Sequence, residues 1–138
     1  MPSMNHGRVQ ANLIGEFLRQ REFSVYSELT LEIADINYTP DLCLYHREPA
    51  DFRHDQMRRT EPPLLAVEIV SPTQGYQDFS KKVDAYFQHG VGSVWIVTPP
   101  IRNVTILLPG GEQKSFSERE CATDPVLGVT ADLGAVFS

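Results

Sequence analysis

Apolar residues recur every three or four positions in two segments of the chain, residues 7–20 and 77–89. This spacing predicts an amphipathic helix in each segment. The apolar stripe of the first helix is formed by Val9, Leu13 and Phe17. The stripe of the second is formed by Phe79, Val83, Tyr86 and Phe87. Gly90 follows directly and is typical of a residue that ends a helix.

Other segments have the pattern of strands. Residues 24–33 alternate between apolar and polar side chains, which predicts a half-buried strand. Residues 34–37 are expected to turn the chain back toward a second strand at 41–45. Continuous apolar runs at 64–70 and 93–98, and a shorter one at 104–108, predict three more strands. The end of the chain is apolar in part and is expected to pack on the rest.

The order of these elements predicts the fold class. A strand, a helix and a further strand (64–70, 77–89 and 93–98) form a right-handed crossover with parallel pairing. The early pair of strands is expected to be antiparallel. We therefore predict an α/β (α+β) fold in which helices flank a central mixed β-sheet. With 138 residues, the chain is expected to form one domain, 1–138.

Charge and composition narrow the function classes. Twelve Lys and Arg against 18 Asp and Glu give a net charge of −6, which disfavours charge-driven binding to nucleic acid but not a nuclease with local phosphate contacts. Cys43 and Cys121 make no disulfide framework, and Cys43 is expected to be a buried free thiol. No apolar run is long enough to span a bilayer. With no secretory signal in residues 1–8, we expect a cytoplasmic protein without a membrane partner.

Glu68 interrupts the apolar strand 64–70. An unpaired charge inside such a strand costs several kcal/mol in order of magnitude, so something must compensate for it. The compensating group is a metal ion, an Arg or Lys side chain, or water in a cleft. A structural ion pair, or a strand end that faces solvent, is the alternative.

Asp41 and Lys82 complete a candidate site. Asp41 opens the strand 41–45, although an aspartate after proline is also common in turns. On a helical wheel Lys82 lies beside the apolar stripe, whereas Lys81 faces solvent; a surface pair of Lys82 with Asp78 is the alternative. Two carboxylates on neighbouring strands plus a lysine are typical of a metal-dependent phosphodiesterase, because Mg²⁺ prefers oxygen ligands and the lysine orients water or neutralises phosphate charge.

The polar segment 47–63 is either a solvated insertion or a functional loop. Its Arg53, Arg58 and Arg59 are candidates for phosphate contacts without sequence readout.

Four segments together resemble a known family. They are Thr-Pro-Asp-Leu at 39–42, Pro-Leu-Leu-Ala-Val-Glu-Ile-Val-Ser-Pro-Thr at 63–73, Asp78 with Lys-Val-Asp-Ala-Tyr at 82–86, and Gly-Val-Gly-Ser-Val-Trp-Ile-Val at 90–97. In this order they resemble the Uma-two family of endonucleases, a branch of the PD-(D/E)XK restriction-endonuclease-like superfamily. The resemblance covers nearly the whole chain.

The resemblance implies a restriction-endonuclease-like core and Mg²⁺-dependent hydrolysis of DNA, with Mn²⁺ as a substitute. Asp41 and Glu68 match the motif acids and are expected to bind the metal. The usual lysine position, two residues after the acid, is Val70 here, and Lys82 on the following helix matches the family's lysine. Glu28 resembles a further acidic position and is a weaker third metal ligand, if the strand register places it on the same face as Asp41.

Gly75 and Thr98 depart from the family's pattern, in which a basic residue and an aspartate are usual. The competing hypothesis is therefore a catalytically inactive binding or scaffold domain that keeps the fold, with Asp41, Glu68 and Lys82 as a buried ion-pair cluster. A homodimer is expected only by analogy with restriction enzymes that pair to cut both strands.

Overall fold

The computed structural model describes residues 2–70 and 76–138. Gly75 and motif residues 71–73 lie outside the described residues. The helices are α1 Met4–Leu18, α2 Tyr76–His89 and α3 Leu133–Val136, with a 3₁₀ turn at Pro99–Ile101. The strands are β1 Phe23–Ser27, β2 Thr30–Ile33, β3 Ile36–Tyr38, β4 Leu42–His46, β5 Arg58–Arg59, β6 Leu65–Ile69, β7 Ser93–Thr98, β8 Asn103–Leu107, β9 Gln113–Ser117, β10 Cys121–Thr123 and β11 Thr130–Asp132.

The main sheet has six strands in the order β1-β4-β6-β7-β8-β9. Strands β6 and β7 run parallel and are connected through α2, whereas the other neighbours in this sheet are antiparallel. This confirms the predicted mixed sheet, its parallel pair and its antiparallel early pair. Two small sheets, β3-β2-β5 and β10-β11, accompany it.

Two apolar clusters cover the two faces of the main sheet. Phe17 of α1 packs with Leu65 and Val67 of β6 on one face. Tyr86 of α2 packs with Ala66 on the other. Because successive side chains of a strand point to opposite faces, the residue after Val67 lies on the α2 face. The fold therefore directs Glu68 toward α2.

The predicted strand at 24–33 is wrong in one respect, since the chain divides there into β1 and β2, which belong to different sheets. The break is at Glu28, whose φ of 55° lies in the left-handed region. The following turn also differs. Ala34 and Asp35 both have positive φ and join β2 to β3 in a two-residue hairpin, rather than leading directly to β4. The alternating pattern continues across the break, so it gives no sign of a change of sheet.

Helix α1 begins at Met4, three residues before the predicted start. Ser3 caps it by accepting a hydrogen bond from the main-chain N–H of His6. The earlier start adds His6 to the buried face of the helix. Strands β9 to β11 and the short helix α3 have no counterpart among the predicted elements, although α3 packs on α1 as expected of the chain's end. Within residues 2–70 and 76–138, no helix has the length and apolar character needed to cross a membrane.

Candidate active site

Two carboxylates meet where β4 and β6 lie side by side. Leu42 pairs with Val67 in the antiparallel register, so the next position sets Asp41 opposite Glu68. Asp41 Oδ2 accepts a hydrogen bond of 2.7 Å from the main-chain N–H of Ile69, directly after Glu68. Directly opposed side chains of antiparallel strands lie on the same face of the sheet. The acids that are 27 positions apart in the printed sequence are therefore neighbours in space.

Lys82 reaches this pair from α2. Its Nζ lies 2.6 Å from Glu68 Oε1, and its side chain is 28% exposed. Lys81 is exposed, as the helical wheel predicted. The alternative prediction, a surface ion pair of Lys82 with Asp78, is wrong. The lysine side chain turns toward the sheet and binds Glu68 instead. Three separate segments thus bring Asp41, Glu68 and Lys82 together.

Glu68 is only 2% exposed, and burial raises the pKa of its carboxyl from 4.5 to about 7. The hydrogen bond and charge of Lys82 and a main-chain hydrogen bond from Asp41 lower this pKa, and the negative charge of Asp41 raises it. Burial wins because these groups together do not replace the water that an ionised carboxylate would have in solution. At neutral pH the carboxyl is poised between its two forms, and a nearby cation would favour the ionised one.

Helix α1 contacts Asp41 at two points. His6 Nε2 lies 3.1 Å from Asp41 Oδ1, and Gln10 Nε2 donates to the Asp41 main-chain oxygen at 3.1 Å. Neither contact is predicted from the sequence pattern. A signal was present, since His6 extends the spacing of Val9 and Leu13 by one step toward the start of the helix.

The structure also places Glu28 beside Asp41. Ser27 pairs with Leu42, and the Glu28 main-chain N–H donates to the Asp41 carbonyl at 3.0 Å. The side chain of Glu28 is exposed. Among the described residues, no three His, Cys, Asp or Glu side chains form a group that could hold a metal ion. The role of Glu28 as a third ligand stays a prediction.

Two of the three candidate arginines in segment 47–63 are paired with acids of the protein. Arg59 binds Glu48 through both terminal nitrogens, at 2.6 and 3.0 Å, and Glu61 at 2.6 Å. Its guanidinium also stacks 3.7 Å from the ring centre of Tyr45 on β4. Arg58 pairs with Glu32 at 3.2 Å, while Arg53 is exposed. Arg59 therefore fixes the segment to the sheet, and Arg53 is the one of the three candidates that lies most open to a ligand.

Cys43 lies on β4 between Asp41, which belongs to the candidate site, and Tyr45, on which Arg59 stacks. It is a buried free thiol, as predicted, and burial raises its pKa to about 12. A thiol with so high a pKa is not a nucleophile at neutral pH. Cys43 is therefore not a candidate nucleophile of this region.

The donor set fits a hard cation that keeps part of its water shell. Asp41 and Glu68 supply carboxylate oxygens, and Mg²⁺ is usually bound through one or two carboxylates plus water. The Ile69 carbonyl is a further oxygen on this side of β6, because it faces the same way as the Ile69 N–H that binds Asp41. The register sets Pro40 opposite Ile69, and proline has no N–H to donate to that carbonyl.

A mixed sheet thus lies between helices, and two acids and a lysine meet at one end of its parallel strand pair. The family model of Uma2, described as "Putative restriction endonuclease", matches residues 1–134. The chain belongs to this family, and the resemblance seen in its motifs is confirmed.

A solved structure supports the fold. It is the crystal structure of a putative nuclease from Anabaena variabilis, with a TM-score of 0.80 and 20% sequence identity, and the match covers 99% of this chain and 82% of that chain. At this identity the likeness shows the fold alone, and it confirms the predicted fold class. No curated protein matches the chain.

Proposed function

We propose that this protein is a Mg²⁺-dependent endonuclease that hydrolyses phosphodiester bonds of DNA. Asp41 and Glu68 hold the metal ion, and Lys82 assists the water that attacks the phosphate. The observation that carries the proposal is the convergence of these three side chains, from β4, β6 and α2, on one end of the parallel strand pair. Membership of a family described as "Putative restriction endonuclease" supports the same reaction class.

The metal supplies chemistry that the side chains lack. Bound Mg²⁺ polarises the phosphate and lowers the pKa of water, and Mn²⁺ substitutes because it accepts the same oxygen ligands. The cost of ionising Glu68 in a buried position is offset when a cation is present. The two oxygens of Asp41 are already held in place, since Oδ2 accepts a hydrogen bond from the Ile69 N–H and Oδ1 lies 3.1 Å from His6 Nε2.

Lys82 is the mobile part of the site. Its long side chain is partly exposed, so its ammonium group is able to leave Glu68 for a phosphate oxygen or a water molecule without crossing the core. At that position it donates a hydrogen bond and neutralises negative charge that develops on the phosphate. Arg53, on the exposed segment 47–63, is a candidate for a neighbouring phosphate.

A non-catalytic domain is the second candidate, and one observation favours it. Lys82 and Glu68 bind each other directly at 2.6 Å, which is also what a purely structural ion pair would do. In that case the site holds the sheet to α2 and binds no metal. The two functions differ in whether Lys82 matters for cleavage.

Plasmid cleavage tests the proposal with a matched pair of lysines. In Mg²⁺ we expect wild type and Lys81→Met to nick supercoiled DNA at similar rates. Lys82→Met should be slower by about 100-fold or more, because an assisting proton donor is lost, and EDTA should stop wild type. Equal cleavage by Lys82→Met and wild type, or cleavage in EDTA, would contradict the proposal. A folded wild type without any cleavage would favour the non-catalytic domain.

A further inference from the structure

Helix α1 supplies two polar side chains to Asp41, one turn apart. His6 contacts the carboxylate at Oδ1, and Gln10 donates to the main-chain carbonyl of the same residue. Residues four apart lie on one face of a helix. The start of α1 is itself fixed, since Ser3 caps it through the His6 N–H. The helix therefore holds both the backbone and the side chain of Asp41.

The environment of His6 is unusual for a residue with a purely structural role. Its side chain is 10% exposed. Its Nδ1 atom is buried and finds no hydrogen-bond partner within the described parts of the chain. Burial of an unpartnered polar atom is unfavourable, so an apolar side chain of similar size would pack at this position at lower cost. The contact that distinguishes histidine from such a residue is the one with Asp41.

We infer that His6 is a positioning residue that orients Asp41 for metal binding. Its Nε2 lies 3.1 Å from Oδ1 while the Ile69 N–H donates to Oδ2, and contacts from two different elements fix the orientation of the carboxylate. Each carboxylate oxygen keeps a further lone pair for a cation. Partners of this kind, one step removed from the metal, affect its affinity strongly. The inference rests on the proposed function, because it assigns Asp41 to the metal.

Calorimetric titration with Mn²⁺ tests the inference without relying on cleavage. His6→Leu should bind Mn²⁺ about 10- to 100-fold more weakly than wild type. It should also unfold at the same or a higher urea concentration, because it removes the unpartnered Nδ1. His6→Gln, whose amide nitrogen overlaps the position of Nε2, should recover most of the affinity. Where cleavage is measured, kcat should fall in His6→Leu while KM for DNA stays unchanged.

Two further variants make the result specific. His54→Leu removes an exposed histidine that contacts Asp51 outside the site, and it should bind Mn²⁺ as wild type does. His6→Asn, whose shorter amide does not reach Oδ1, replaces His6→Leu if the latter does not fold, and it should bind as weakly.

Three outcomes would overturn the inference. One is Mn²⁺ affinity of His6→Leu within twofold of wild type, and another is equal loss of affinity in His6→Leu and His6→Gln. In both, wild type binds Mn²⁺ and the proposed function stands. If wild type itself binds no Mn²⁺, the proposed function fails, and the inference fails with it.

Discussion

Two buried carboxylates on opposite sides of the sheet show how differently a charge can be accommodated. Glu68 and Asp124 are 2% and 1% exposed. In the part of the chain that the structure describes, Glu68 has one cationic partner, Lys82, and its pKa is raised to about 7. Asp124 has no cation among its hydrogen-bond partners in the described chain, but it accepts four hydrogen bonds from neutral donors, which are Ser93 Oγ, Trp95 Nε1 and the main-chain N–H groups of Val126 and Leu127.

The two carboxylates differ in how their charge is stabilised inside the protein. Fixed neutral donors replace the water around Asp124. The hydrogen bonds that they donate connect β7 to the segment between β10 and β11. Among the described residues Glu68 has fewer donors, and its main partner is the long, partly exposed side chain of Lys82, which is able to move away. The fold therefore keeps Glu68 in an unfavourable environment that a cation would improve. Removal of the charge should have opposite effects on stability at the two sites.

The largest effect is expected for Asp124→Ala. The substitution leaves the Trp95 indole N–H and the Ser93 hydroxyl without their acceptor in the core, and we expect a loss of about 3–5 kcal/mol in the free energy of unfolding. Urea unfolding followed by circular dichroism measures it. Asp84→Ala, at an exposed position of α2, should change stability by less than about 0.5 kcal/mol. Equal, small effects of both substitutions would show that the Asp124 bonds contribute little.

Glu68→Gln should increase the free energy of unfolding above neutral pH, whereas Asp124→Ala should decrease it. Because the folded-state pKa of Glu68 is raised, its protonation favours the folded state, and this stability is present below pH 4.5 and is lost as pH rises through about 7. The shift corresponds to about 3 kcal/mol at most. In EDTA, Glu68→Gln should therefore gain stability relative to wild type as pH rises from 4.5 to 8.

Urea unfolding at pH 5 and pH 8 measures this gain, with Glu112→Gln as an exposed control that shows no such trend. A difference between Glu68→Gln and wild type that is the same at both pH values would mean that Glu68 is ionised without cost. The contrast with Asp124 would then disappear.

The sequence predicts those helices and strands whose apolar residues repeat with the period of the element that they form. Strand β6, helix α2 and strand β7 follow from their apolar positions, and the wheel that separates Lys82 from Lys81 depends only on helical geometry. Asp41 and Glu68 stand out because a charge next to an apolar strand has to be compensated. The resemblance to the family motifs adds the expectation that Asp41 and Glu68 belong to one site, which their spacing in the sequence leaves open.

The features that the sequence analysis missed depend on tertiary contacts. Glutamate at position 28 is not a residue that favours positive φ, so the division of β1 from β2 has no local signal. The contact between His6 and Asp41 joins residues 35 positions apart, and it depends on where α1 lies against β4. Asp124 precedes a proline and has the pattern of a turn, and its role becomes visible only when Trp95 is placed beside it.

Calorimetric titration with Mn²⁺ at pH 8 tests the central claim most directly, because it asks whether Glu68 is a metal ligand. Wild type and Glu48→Gln, which alters a carboxylate bound to Arg59 outside the site, should bind one Mn²⁺ with similar affinity. Glu68→Gln should bind at least about 100-fold more weakly, since a lost ligand costs no less than a lost partner of a ligand. Wild-type affinity in a folded Glu68→Gln variant would contradict the account.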